Sequence, residues 1–96
     1  MAVYVDNPVW EWRGRLWCHL LADSLEELHS FANELGLKPE WFQKKARFPH
    51  YDVTENLREK ALKLGAVAAN NRTICMKAIA LRDEYKNAMI EKSAAS

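Results

Sequence analysis

Two cysteines, three glycines and three prolines in 96 residues leave few of the usual signposts, and each scarcity excludes something. Cys18 and Cys75 stand far apart and outside any CxxC context, which gives no basis for a disulfide framework and fits a reduced, cytoplasmic setting. No apolar run approaches the ~20 residues that cross a bilayer, and the start of the chain lacks a basic segment followed by an apolar one, so no membrane partner is expected. Charge of one sign is also missing: 14 Lys+Arg face 13 Asp+Glu for a net +1, which argues against a protein that wraps duplex nucleic acid. GxGxxG, the P-loop, HExxH and GxSxG are all absent, which weakens the case for an enzyme without removing it.

What is present is a globular composition. The hydrophobic share is 49%, with four Trp, three Tyr and three Phe as large burial units. A chain this short holds one core and buries only ~60–65% of its unfolded surface, so stability is modest and an oligomer interface would add to it. Basic residues gather between Lys38 and Lys63, where Lys38, Lys44, Lys45, Arg47, Arg58, Lys60 and Lys63 outnumber Glu40, Asp52, Glu55 and Glu59. That excess is either a local positive surface near His50 or an ordinary solvated helix face.

Read in order, Val3-Tyr4-Val5 is a short strand ending at Asp6, and Asp6-Asn7-Pro8 is a strong turn. Val9 to Arg15 is a surface segment in which tryptophan and arginine either grip a flat, phosphorylated ligand or simply pin and solubilise a loop. Leu16 to Leu21 alternates as a second strand, with Leu16, Cys18 and Leu20 on one face and Trp17, His19 and Leu21 on the other. Ser24-x-x-Glu27 is a capping box, and Leu25, Leu28, Phe31, Ala32 and Leu35 follow at helical spacing before the Gly36 stop. Lys38 to Gln43 is a loop and a single helical turn. Lys44 to Phe48 is a basic loop, after which Pro49 delivers an extended His50-Tyr51-Asp52. Thr54 caps a second helix carrying Leu57, Ala61 and Leu64, with Gly65 ending it. Ala66 to Ala69 is a third short strand, and Thr73 or Asn71 caps a long final helix along Ile74, Ala78, Leu81, Tyr85 and Met89. The expected fold is a small single α+β domain: a short sheet, two capped helices and a longer C-terminal helix. Residues 1–69 form the α+β unit, and residues 70–96 the helix that packs on it or mediates self-association.

Chemistry concentrates at Pro49 to Thr54. In an extended segment residues i and i+2 face the same side, so His50 and Asp52 share a pocket while Tyr51 turns away. Asp52 then assists His50 in acid–base work, or caps the following helix. The start of that helix together with Lys44, Lys45, Arg47 and His50 is a second option, a phosphate or carboxylate site, with Trp10 and Trp41 stacking a flat group. Metal binding by His19, His29, His50, Asp6 and Asp52 matches no recognised spacing, and no metal is expected.

Several stretches together resemble a family: Ala2 to Asp6, Trp12-Arg13-Gly14-Arg15-Leu16-Trp17-Cys18-His19-Leu20, Glu27 to Ala32, Leu35-Gly36-Leu37, Trp41-Phe42, His50-Tyr51-Asp52-Val53 and Leu64-Gly65-Ala66. They run from Met1 to about Val67 and resemble the DUF4031 family of bacteria and phages, which has no settled reaction. Cys18 stands where that family often has serine, and Glu11 where proline is frequent. The resemblance implies that Asp6, Arg13, His19, His50, Tyr51 and Asp52 form one set, a ligand site rather than packing. The leading expectation is a binding module for a small phosphorylated or nucleotide-like ligand, in phage context one that sequesters a nucleotide signal of host defence. Arg13 and His50 would hold the anionic group, Trp10 would stack, Tyr51 and Asp52 would bond polar edges, and the C-terminal helix would join two copies. The rivals are a small hydrolase or phosphodiesterase using His50 with His19 and Asp6 or Asp52, and a protein-interaction or single-strand nucleic-acid module on the basic region. The sequence identifies no cofactor.

Overall fold

The computed structural model describes residues 2–8, 10–44 and 48–95, with side chains to Lys92. In chain order it runs β1 (Val3–Val5), β2 (Trp10–Trp12), β3 (Arg15–Ala22), α1 (Leu25–Leu35), a 3-10 turn (Pro39–Trp41), β4 (Tyr51–Thr54), α2 (Glu55–Lys63), β5 (Val67–Ala68) and α3 (Asn71–Ala95). This is a five-stranded mixed sheet with three helices, an α+β fold with the long helix last.

Eight-residue β3 is the strand on which the others assemble. β1 pairs antiparallel with its C-terminal half, β2 with its N-terminal half, and β4 across its middle, while β5 adds to β1 in parallel. Alternation along β3 divides its side chains between two faces. Cys18 and Leu20 are fully buried with their cross-strand partners Val53, Tyr51 and Val5. On the other face lie Trp17 and His19, half-buried, and Leu21, buried.

Trp10 to Arg15 is not a simple surface loop, and Val9 lies outside the described residues. Trp10-Glu11-Trp12 forms an edge strand, and Arg13-Gly14 turns it into β3 with both residues at positive φ, 52° and 73°. Two positive φ values define the type I′ hairpin turn that matches strand twist. Such a turn favours Asn-Gly, and arginine in its first place hides the signal.

The caps of the first two helices follow the sequence. Ser24 Oγ accepts from the Glu27 amide at 3.2 Å and donates to the Glu27 carboxylate at 3.1 Å, and Gly36 closes α1 in the left-handed conformation at φ 92°. Thr54 Oγ1 accepts from the Leu57 amide at 3.4 Å, so the cap of α2 is Thr54 and not Asp52. At α3 the cap is Asn70, whose side chain accepts from the Thr73 amide at 2.9 Å, rather than Asn71 or Thr73.

α3 is fastened from Ile74 as far as Tyr85, where Glu84 Oε2 accepts the Leu25 amide at 2.7 Å and the Tyr85 ring lies 6.1 Å from that of Phe42. Ile74, Ala78 and Leu81 are buried in the core, and Lys77 Nζ reaches Asp23 at 2.7 Å. Asp23 also receives the Tyr4 hydroxyl at 3.0 Å and the Ala2 amide at 2.8 Å, joining β1 to the helix. The Lys77 ammonium holds the Asp23 carboxyl below its usual range, with the Tyr4 and Ala2 bonds adding to the effect. Further on, Met89 and Ile90 are exposed. No helix among the described residues is long and apolar enough to cross a membrane.

Removing the fully buried Leu81 side chain opens a cavity, so Leu81→Ala is expected to cost ~2–5 kcal/mol of unfolding free energy in urea, whereas Ile90→Ala at the exposed end costs under ~0.5 kcal/mol. Equal small effects would mean that α3 does not share the core. The thiols should divide as sharply. Burial, with the nearby charge of Asp6, pushes the Cys18 thiol up to about 12, while Cys75 is exposed. A thiol reagent should therefore titrate one group in the native protein and the second only after unfolding.

Candidate functional site

Where β3 meets β4, His19 stands opposite Asp52, and further along β3 Trp17 stands opposite Trp10. All four project from the same face, because paired residues share a face and alternate residues along a strand return to it. His50, two residues before Asp52, joins them, its ring centroid 5.0 Å from that of His19.

Asp6 sets the orientation of His19. At the end of β1 its side chain continues the ladder: Oδ1 accepts the His19 backbone N–H at 2.7 Å, and Oδ2 accepts from the ring at Nδ1, also at 2.7 Å. The Asp6 carbonyl in turn accepts from Arg58 Nε at 2.8 Å, which ties α2 to the same point. Asp6 is itself buried. Its hydrogen bond raises the His19 pKa above 6.5, outweighing the opposing effect of burial. With Nδ1 committed to the carboxylate, Nε2 is the ring nitrogen of His19 left for other partners.

His50 is fixed in the same sense by a different partner. Nδ1 lies 2.9 Å from the Phe48 carbonyl, and a carbonyl oxygen only accepts, so Nδ1 carries a hydrogen. Nε2, the other ring nitrogen, lies 3.0 Å from Oδ1 of Asp52. That contact is not aligned as a hydrogen bond, and Oδ1 is buried without any hydrogen-bond partner. The aromatic surround is tight: Trp10 lies 4.8 Å from His19, and Phe48 lies 5.6 Å from His19 and 4.9 Å from His50.

The cluster opens in two directions. A cleft of about 650 Å³ is lined by Trp10, Trp12, Trp17, Trp41 and Leu57, and Asp52 reaches into it. A groove of about 430 Å³ runs along α3, with Asp6, His19 and Phe48 on one side and Cys75, Ile79 and Arg82 on the other.

Of the residues expected at the site, Asp6, Trp10, His19, His50 and Asp52 therefore come together. Arg13 and Tyr51 do not join them. Arg13 lies in the β2–β3 turn with its guanidinium 4.5 Å over Trp12; Arg15, where β3 begins, is already four residues from His19, roughly 13 Å along the strand. Tyr51 points to the opposite face, its hydroxyl 2.8 Å from His29 Nδ1 and its ring 5.4 Å from Phe42. His29, which burial alone pushes below its ordinary pKa, belongs to that second aromatic group. In the basic region, Lys45 and Arg47 lie outside the described residues. Arg58 is engaged with Asp6, and Lys60 reaches the Leu35 carbonyl at 3.4 Å. Arg58 was legible only as one charge among seven; nothing in its spacing announced a bond to the end of β1.

The family model for a protein of unknown function, DUF4031, matches residues 3–81. The chain belongs to the DUF4031 family. The match runs well beyond Val67 into α3 as far as Leu81, so the family pattern includes the part of α3 that is buried in the core. No curated protein and no solved structure matches.

Asp6→Asn is expected to lower the His19 pKa, because the amide no longer favours the imidazolium; an NMR titration of the ring protons reads this directly. The sign extends to stability. A raised folded pKa contributes stability fully below 6.5 and loses it as pH rises through the folded value, so the stability gap between wild type and Asp6→Asn should narrow with rising pH. A gap that widens would contradict the pairing.

Proposed function

We propose that this DUF4031 protein is a binding module for a small phosphorylated or nucleotide-like ligand, seated in the tryptophan cleft with its polar end on the histidine–aspartate cluster. The observation that carries the reading is the meeting of the two: Trp10 and Trp41 line the same cleft into which Asp52 reaches, and Trp10 also packs on His19. Aromatic walls accept a planar group with little sequence or substituent preference, and polar groups at one end fix its direction. The volume of about 650 Å³ suits a single nucleotide-sized molecule. His19 and His50 replace Arg13 as the groups facing the anionic end, and Tyr51 has no part in it. Sequestration of a nucleotide signal is the use that the phage setting of the family fits.

A second reading is a small hydrolase or phosphodiesterase. The observation favouring it is the Asp6–His19 pair at 2.7 Å, a histidine oriented by a buried carboxylate and lining the groove along α3. That is the arrangement of a general base.

Native mass spectrometry and thermal shift against a nucleotide panel should reveal at least one adduct and one stabilising compound, and Trp10→Ala should weaken that compound roughly 10-fold or more through lost stacking. Absence of any adduct and any shift removes the binding reading. Slow turnover of the bound compound, lost in His19→Ala while binding survives, transfers the assignment to the enzyme.

A further inference from the structure

Two carboxylates beside the expected seat of an anion need an explanation, and the direction of the lone pairs supplies one. Both histidines give their Nδ1 hydrogen to an oxygen outside the cluster, His19 to Asp6 Oδ2 and His50 to the Phe48 carbonyl. That is the outer hydrogen bonding found on metal-ligating histidines, where a carboxylate or carbonyl fixes the tautomer and turns the other nitrogen toward the ion. The atoms this leaves, Nε2 of each unprotonated ring and a carboxylate oxygen of Asp52, are all electron-pair donors. Ligand atoms from the three residues lie within 4.8 Å of one another, the single such group among the described residues. Donors around a tetrahedral Zn²⁺ at 2.0–2.2 Å stand roughly 3.3–3.6 Å apart, so small side-chain rotations close the set. Oδ1 of Asp52, buried and without a hydrogen-bond partner, is the atom such an ion would satisfy.

We infer that His19, His50 and Asp52 form a binding site for a first-row divalent cation of the Zn²⁺ type. Two imidazoles and one carboxylate are the donor set of three-ligand sites that leave a coordination position open, and not that of Mg²⁺ or Ca²⁺, which take oxygen. Asp52, half-buried like His19, reaches into the tryptophan cleft, so the open position faces the proposed ligand. An ion there offers a phosphate oxygen a positive partner where Asp6 and Asp52 alone would repel it. This connection rests on the nucleotide reading; the metal site itself does not.

The test uses the full chain carrying Cys75→Ser, so that the exposed thiol contributes nothing. Protein stripped with a chelator should bind one Zn²⁺ in calorimetry and be stabilised thermally by Zn²⁺ but not by Mg²⁺. Co²⁺ should bind with the visible absorption of a four- or five-coordinate centre. His19→Ala, His50→Ala and Asp52→Asn should each weaken Zn²⁺ at least 100-fold, while His29→Ala, on the opposite face, should leave it unchanged. Asp6→Asn, which alters only the outer hydrogen bond to a ligand, should weaken Zn²⁺ 10- to 100-fold. Circular dichroism keeps folding failures separate, and Co²⁺ bound to the parent protein, its imidazole ring signals shifted by the paramagnetic ion in NMR, reports the ligands without any of those substitutions. Failure of Zn²⁺ and Co²⁺ to bind, or binding that survives all three ligand substitutions, overturns the site. Zn²⁺ binding with no nucleotide adduct leaves the metal site standing and removes the nucleotide reading. Nucleotide binding unchanged by chelator, in protein that takes up no metal, does the reverse.

Discussion

Asp6 carries more of this structure than its position at the end of a three-residue strand would lead one to expect. Its side chain accepts both a backbone and a ring N–H from His19, its amide reaches the His19 carbonyl at 3.4 Å, and its own carbonyl receives Arg58. One residue thus completes the ladder between β1 and β3, fixes the tautomer and direction of a site histidine, and anchors α2. A buried carboxylate is costly unless its lone pairs are used, and here each oxygen holds a hydrogen bond at 2.7 Å. The site is therefore not an addition to a finished fold. Deleting the carboxylate would loosen the sheet and release the histidine together.

Much of the architecture was legible because it follows from local rules. The capping box at Ser24 and Glu27, the left-handed stop at Gly36, the Thr54 cap and the two-sided alternation of β3 all rest on chemistry within a few residues. What was not legible depends on partners distant in sequence or on atypical residues in familiar roles. Arg13 occupies a hairpin place usually held by asparagine or aspartate, so Trp10 to Trp12 read as a surface segment and not as an edge strand. Asn70 outcompetes Asn71 and Thr73 as a cap by geometry that composition does not rank.

The site was half-readable for a related reason. Alternation alone places His50 beside Asp52 and turns Tyr51 away, and the structure has that arrangement. Grouping residues by family resemblance drew Tyr51 and Arg13 into one set with them, because resemblance records which residues recur and not which face they take. Tyr51 packs with His29 and Phe42 in an aromatic group of its own on the far side of the sheet. The meeting of His19 with Asp52 required the register between β3 and β4, a long-range fact that no spacing encodes.

The division of β3 has a consequence for how this chain can vary. Cys18 and Leu20 fill the core while His19, between them, serves the site, so packing and chemistry are interleaved at single-residue intervals on one strand. Shifting that strand by one position would bury the imidazole and expose both core side chains at once. Insertions and deletions inside β3 are thus barred twice over. Substitutions at His19 face the same coupling: a residue there answers to its two buried neighbours as well as to whatever the cleft holds.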